Sequence, residues 1–576
     1  MYNVIIIGGM AAGCKAAARL SRLSSDYHIT IIERKSIVSF GNCGLPFYAS
    51  GEVDDLNELA KTSYGVIRDV NYFKDVKNVN VLTKTEVTEI NPDKHEITYK
   101  AIGNEKITTL PYNALIIATG SKVVEPKFDF PHSPAISSFH SELDAKNFRE
   151  AAQKGKVRKV VIVGGGFIGC ELTEALRSLW GIETILIEKE NSLLSNFLDP
   201  EISRVVENQI EKNNVQILLS SEVQKIETDE KKLPVTSLTN GNKIESDYLF
   251  YNLGVHPETD LAKATGVEIG KLGGIIVDKN MKTNMPNIWA AGDCVETKNL
   301  VTGKPDYFPL GSLSNRMGRV AANSIAGKND SFYGAAGTVS VKVFDMVVSA
   351  TGLTEKKAKE NGYNIGSVIG CWTDRPDYHP EAKDIFGKLV YEKENLKLLG
   401  IQLVGEGEVN RYVDVVSELL AKNKTVYDLL NLEHGYMPAH SSPISPLNYF
   451  GYMVINQEED GVLNVNPEKL SSFDGLFIDL REDVEVDTSA FSHNAIHIPL
   501  AELRKKLDEF DLNQPIMLIC EKGTRAYGAA TTFKNCGFKN ISYLGGGNNF
   551  YKEVNKKFNS YTDSKKTSNE NINTLS

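Results

Sequence analysis

The stretch Lys159–Leu179, KVVIVGGGFIGCELTEALRSL, decides the fold. An apolar run rich in valine and isoleucine breaks into glycines and then into a helix-like segment, and the apolar strand TILIEKE follows. This is how a parallel strand, buried on both faces, leads into a βαβ unit. Gly164, Gly166 and Gly169 form GxGxxG, and Glu188 ends the next strand. The glycines permit a tight turn and a close approach of backbone to a pyrophosphate, while the acid can accept hydrogen bonds from ribose hydroxyls. A bare GxGxxG is often only a strand-to-helix turn; with strand, helix and acid all in place, it reads as a nicotinamide nucleotide site. Glu188 would repel a 2'-phosphate and so favours NADH, whereas Lys189 beside it keeps NADPH open.

The same pattern occurs once more, upstream. NVIIIGGMAAGCKAAARLSRL begins at Asn3, and ITIIERK follows. The motif Gly8, Gly9, Met10, Ala11, Ala12, Gly13 carries Met10 in place of the middle glycine, but Glu33 stands where a ribose-binding acid is expected. Repetition of the unit predicts two doubly wound domains. Between them, LPYNALIIATGSK, with Thr119 and Gly120, reads as a strand returning to the first domain, and MPNIWAAGDC as another strand ending at Gly292 and Asp293. Asp293 could accept a hydrogen bond from the ribityl chain of FAD, although an Ala-Gly-Asp turn alone is more often plain.

From about Ser331 the texture changes to short strand-like runs and the helical stretch VNRYVDVVSELLAKN, an α+β unit. After the proline- and serine-rich connection HSSPISPLN, a compact α/β pattern runs from about Leu463 to Phe558. The last residues lack apolar periodicity and read as a disordered tail.

The 576 residues exceed what one core usually supports, and 41% hydrophobic with 24% charged residues is the composition of globular domains. A formal charge of -10 argues against a nucleic-acid partner. No apolar run spans a membrane and no signal peptide precedes the first strand, so a cytoplasmic location is expected. The seven cysteines are sparse and form no CxxC pair, which suits a reduced compartment and supports no zinc site.

In combination, IIIGGMAAG, Glu33, ATGS, VGGGFIG, Glu188 and NIWAAGD resemble the pyridine nucleotide-disulfide oxidoreductases over roughly residues 1–450. SFGNCGLPFY has one cysteine, Cys43, and no second cysteine five positions on, and so resembles the single-cysteine branch. That branch includes coenzyme A-disulfide reductase, CoA persulfide or polysulfide reductase, NADH oxidase and NADH peroxidase. The resemblance implies an FAD-binding domain over 1–118 and 252–328, an NAD(P)H-binding domain over 119–251, and a dimerisation domain over 329–452. It also implies a homodimer whose active site is completed across the interface. Cys43 would cycle through a mixed disulfide, a persulfide or a sulfenic acid, and a nearby flavin and helix N-terminus would favour its thiolate. By resemblance to coenzyme A-disulfide reductase, Lys15, Arg19, Arg22, Ser39 and Asn42 line a CoA site, the three cations serving the phosphates; the alternative is a solvated helix face.

EHGYMPAHSSPISPLN resembles the family's tyrosine-bearing stretch, but His440 stands where a tyrosine is usual. In RPDYHPEAK, Tyr378 is present while His379 replaces a second aromatic residue. His440 could protonate a leaving thiolate instead.

PIMLICEKGTRAYGAATTFKNCGF, with FIDLRE upstream and YLGGG downstream, resembles a rhodanese active site over 462–558, leaving 559–576 as the tail. Loop amides would lower the pKa of Cys520 and hold an anionic persulfide, with Arg525 adding positive charge; the alternative is an inert cysteine on a degenerate fold. The loop is one residue shorter than the CxxxxxR of phosphatases, which favours sulfur transfer. The expected activity is electron transfer from NAD(P)H through FAD to Cys43, reducing CoA disulfide, CoA persulfide or polysulfide. An oxidase or peroxidase acting through a Cys43 sulfenic acid, and a sulfur-trafficking or redox-sensing protein, are the alternatives.

Overall fold

The computed structural model describes residues 2–556 other than 490 and 492, so the expected tail lies outside the described residues. The chain forms two compact units, Met1–Glu183 with Val223–Ala335 and Thr184–Glu222 with Ala336–Ser576.

In the first unit, a five-stranded parallel sheet runs Ile288–Ala290, Ala114–Ile117, Tyr2–Ile7, Tyr27–Ile32, Val79–Leu82. The central strand lies between its neighbours with Val4, Ile5 and Ile6 almost wholly buried, which explains the unbroken apolar run. Each such side chain contributes about 1.5–3 kcal/mol by leaving water. Beyond Ile7 the chain turns through Gly8 into the helix Ala11–Leu20. Gly8 has φ +106°, and a Cβ there would meet the carbonyl oxygen of Ala118 at 2.1 Å. No other residue fits that turn.

The second nucleotide motif repeats the device. Lys159–Val163 pairs in parallel with Tyr248–Tyr251, which pairs with Ile136–Ser137, and the helix Phe167–Ser178 follows the glycines. Gly164, at φ +110°, approaches the carbonyl oxygen of Asn252 so closely that a Cβ would sit 2.2 Å from it. A three-stranded antiparallel sheet, Thr85–Asn91, Glu96–Ala101 and Ile107–Pro111, completes the substructure between the first nucleotide motif and its returning strand.

The second unit carries two different sheets. One is antiparallel, in the order Val339–Val343, Met346–Gly352, Leu398–Gly405, Asp384–Glu392, Ile365–Thr373, with the helix Asn410–Ala421 packed on it. The other is parallel, in the order Leu463–Val465, Ile541–Leu544, Ile516–Ile519, Leu476–Asp479, Ala495–His497, with helices that include Thr524–Asn535 and Gly547–Asn555. The class is therefore α/β with an α+β portion and a C-terminal α/β portion. Among the described residues no helix is long and apolar enough to cross a membrane.

Candidate functional sites

Glu33 is buried at the end of its strand, and its two carboxylate oxygens accept from the amides of Gly9 at 2.6 Å and Lys35 at 2.7 Å. That fixes the carboxylate beside the glycine turn with lone pairs to spare for ribose hydroxyls. Met10 is the N-cap of the following helix and supplies no side-chain cap. Its missing-glycine position does not disturb the turn, because the close approaches fall on Gly8 and Gly13. A Cβ on Gly13 would lie 1.9 Å from the Gly8 carbonyl oxygen. Ala12 lies against the second arm of the site: a Cβ on Gly292 would touch the Ala12 Cβ at 3.0 Å. Asp293 beside it accepts from Ser314 Oγ at 2.6 Å, and burial raises its pKa. Thr119 Oγ1 donates to the Glu258 carbonyl at 2.6 Å, and the neighbouring Gly120 has open space where a Cβ would stand. These residues fit a dinucleotide: a glycine turn, a helix N-terminus, a fixed carboxylate and a second acid just past the strand Ile288–Ala290.

At the second motif, Gly166 caps the helix and a Cβ there would meet nothing within 4 Å, so the glycine opens space rather than fitting against protein. Gly169 is buried within that helix. Glu188 follows the strand Glu183–Ile187 in the second unit, and its carboxylate accepts from the Glu190 amide at 2.9 Å.

Cys43 is exposed in the single 3-10 turn Asn42–Gly44, just before the six-residue helix Leu45–Ser50. The surrounding protein pushes the thiol pKa up, by desolvation first and then by the carboxylates of Glu171 and Asp293. The protein groups alone therefore do not favour a thiolate. Glu171 was missed in the sequence, where it reads as one more helical residue after Cys170. Its desolvation and the nearby Glu174 raise its pKa to about 7, so it holds a proton near neutrality beside a reactive thiol.

Around this turn, Asn42 Oδ1 is buried without a partner, and Ser39 adopts a left-handed backbone, φ +52°, with its amide bonded to the Gly9 carbonyl. Lys15 is exposed, while Arg19 Nε donates to Asn323 Oδ1 at 2.7 Å. The helix ends at Leu20, so Arg22 lies in the turn beyond it rather than on the same helical face.

In the second unit, Tyr378 is 74% exposed, and its hydroxyl meets Tyr436, another residue the sequence reading missed. His440 is exposed, and its carbonyl accepts from Arg411 at 2.7 Å. His379 is held in its own loop, its Nδ1 accepting from the Glu381 amide at 3.2 Å.

Cys520 follows the strand Ile516–Ile519 and is only 1% exposed. Its Sγ accepts from the amides of Gly523 at 3.1 Å and Ala526 at 3.3 Å, so the loop wraps its amides around sulfur. Gly523, at φ +97°, provides the left-handed residue on which the loop turns into the helix. Arg525 reaches the Cys520 sulfur with its positive charge, and its guanidinium also donates to both oxygens of Glu485, at 2.5 and 2.7 Å. Among the described residues no cluster of His, Cys, Asp and Glu is arranged to hold a metal ion.

Residues 2–322 match the family described as pyridine nucleotide-disulphide oxidoreductase, 338–445 its dimerisation domain, and 467–553 the rhodanese-like domain. The NAD(P)H coenzyme A polysulfide/persulfide reductase of Pyrococcus horikoshii is 31% identical over 445 residues, covering 77% of this chain and 96% of that protein. A structure of an NAD-dependent persulfide reductase from A. fulgidus superposes with a TM-score of 0.90 at 35% identity, over 95% of this chain and 99% of that one. Reduced Bacillus anthracis CoADR-RHD gives 0.88 at 32% identity, over 96% and 98%.

Proposed function

The chain belongs to the pyridine nucleotide-disulphide oxidoreductase family, and from that premise we propose that it reduces the sulfane sulfur of a small thiol, CoA persulfide above CoA disulfide or polysulfide, at Cys43. One observation carries the choice: the same chain holds an exposed single cysteine in its nucleotide-binding unit and a second cysteine, Cys520, cradled by loop amides in a rhodanese-like domain. A pure CoA-disulfide reductase or oxidase has no use for that second sulfur.

FAD and NAD(P)H are the family's cofactors; bound FAD supplies two-electron transfer from the nicotinamide to sulfur. Gly8, Gly9, Met10, Ala11, Ala12 and Gly13, with Glu33, Thr119, Gly120, Gly292 and Asp293, would hold it. Gly164, Gly166 and Gly169 would admit the nicotinamide nucleotide. Ser39 and the unpartnered Oδ1 of Asn42 would face CoA, whose phosphates Lys15, Arg19 and Arg22 would meet.

The Cys43 thiolate attacks the thiol-borne sulfur of the persulfide, forming a Cys43–CoA mixed disulfide and expelling hydrosulfide. Two electrons and a proton then return Cys43 to thiolate and release CoA thiol. One NAD(P)H and one proton are consumed, and one hydrogen sulfide and one CoA thiol leave. Glu171 is placed to supply or accept the proton near neutral pH. The dimerisation domain supports a homodimer, in which Tyr378 and His440 would serve the partner's thiol site. The sparse, unpaired cysteines support a cytoplasmic setting.

Anaerobic NADH consumption with CoA persulfide, CoA disulfide and peroxide, and aerobically with oxygen alone, tests this reading. Persulfide should give the highest kcat/KM, and Cys43→Ser should abolish it. Turnover that needs only oxygen would displace the reading in favour of an oxidase.

A further inference from the structure

Every cation around Cys520 is answered by a carboxylate. Arg525 is held by Glu485 through two hydrogen bonds. Arg481, fully buried, pairs with Asp479 at 2.7 Å and with Glu521 at 3.5 Å. Lys522, in the loop itself, pairs with Asp377 at 2.9 Å and Asp384 at 3.4 Å, and Lys552 approaches Glu521 at 3.8 Å. Four cations thus face five carboxylates among the described residues. Beside the Arg525–Glu485 pair, the donors that face the Cys520 sulfur are backbone: the Gly523 and Ala526 amides.

Two amides suit a single negative charge spread over sulfur. They do not suit a dianion such as thiosulfate, which needs an uncompensated cation to offset its desolvation. Arg525 is the side chain best placed to supply one, since it reaches both the Cys520 sulfur and Glu485. Glu485 keeps that charge occupied, and Arg525 in turn holds the Glu485 carboxyl far down, at about 2, so the pair stays ionised at working pH.

We propose that Glu485 is a specificity residue of the rhodanese-like domain, which, by holding Arg525, restricts Cys520 to sulfane sulfur carried on small thiols and excludes oxyanion donors such as thiosulfate. The inference rests on the reading that Cys520 handles sulfane sulfur. In the step itself, the Cys520 thiolate attacks the outer sulfur of a persulfide RSSH; the S–S bond breaks, RS⁻ leaves with the bonding pair, and Cys520 carries the sulfur as its own persulfide. An acceptor such as cyanide then attacks that sulfur, giving thiocyanate and regenerating the Cys520 thiolate. With thiosulfate the leaving group would be sulfite.

The test uses full-length, flavin-loaded protein without NADH, so that Cys43 has no reductant, with glutathione persulfide or thiosulfate as donor and cyanide as acceptor. For the native chain, persulfide should exceed thiosulfate in kcat/KM by on the order of a hundredfold. Glu485→Gln should raise kcat/KM for thiosulfate about tenfold, chiefly through KM, and change the persulfide value less than about threefold. Glu485→Asp should restore the native ratio, and adding Arg525→Ala to Glu485→Gln should erase the gain. Equal use of both donors by the native chain overturns the proposal without any variant, as does an unchanged ratio in folded Glu485→Gln. Cys520→Ser should transfer sulfur from neither donor; transfer that persists there defeats the underlying assignment of Cys520 rather than the role of Glu485.

Discussion

Cys43 and Cys520 each stand at the start of a helix after a sharp loop, yet the protein treats the two sulfurs in opposite ways. Cys520 is buried, and two amides already point at its sulfur. Cys43 is exposed, its turn is one residue either side of the cysteine, and the carboxylates of Glu171 and Asp293 act on it. At Cys520 the chain itself supplies the donors that face the sulfur. At Cys43 the protein groups alone oppose a thiolate, so the positive polarity that a nucleophilic thiolate needs would have to come from the bound flavin. The difference separates a buried sulfur already met by protein donors from an exposed one that is not.

The separation predicts that the two cysteines fail independently. Cys43→Ser should lower NADH-dependent persulfide reduction by on the order of a thousandfold or more, since no other nucleophile replaces it. It should leave persulfide-to-cyanide transfer within about twofold. Cys520→Ser should do the reverse, keeping reduction of CoA disulfide within about twofold. Steady-state assays of both reactions on both variants check this, and loss of both activities in either variant would mean that the sulfurs form one obligatory relay.

A substitution that destroys the assembled site without touching either sulfur sharpens the same contrast. Gly8→Val would set a side chain where even a Cβ meets the Ala118 carbonyl at 2.1 Å, in a left-handed backbone. The strain is on the order of 3 kcal/mol or more. The flavin absorbance should fall by at least about tenfold relative to protein, with NADH turnover falling in parallel, while transfer at Cys520 persists in the protein that remains folded. Full flavin content in Gly8→Val would show that the turn does not hold the cofactor.

Much of this was legible in the sequence because it is local. The two glycine turns, Glu33, and the Cys520 loop each follow an apolar strand within a few residues, and period and punctuation give them away. What escaped is what folding brings from afar. Glu485 lies 40 residues before Arg525, on a short helix with no motif of its own, so the partner of Arg525 left no local signal. Glu171 sits inside the very stretch that decides the fold, but its identity as a desolvated acid depends on packing around it rather than on spacing. Tyr436 was overlooked beside His440 because the family pattern directed attention to one position and the Tyr378 contact is made by the loop's fold. Arg22 was placed on a helical face by counting in steps of three and four, and the helix stops two residues short of it.

Glu171 offers the finest test of how the protein opposes a thiolate at Cys43. Its pKa of about 7 means that raising the pH through neutrality converts a neutral neighbour into an anion, and that anion pushes the Cys43 thiol further up. The two titrations therefore oppose each other, and Cys43 ionises over a broader pH range than a lone thiol. In Glu171→Gln the anion never forms. The Cys43 midpoint should fall by about half to one pH unit, and the curve should steepen. Peptide-resolved alkylation by iodoacetamide across pH 6–10, on flavin-loaded protein, reads this directly and keeps Cys43 apart from the exposed Cys536. A midpoint that stays put or rises would show that desolvation and Asp293, not the Glu171 charge, govern the thiol.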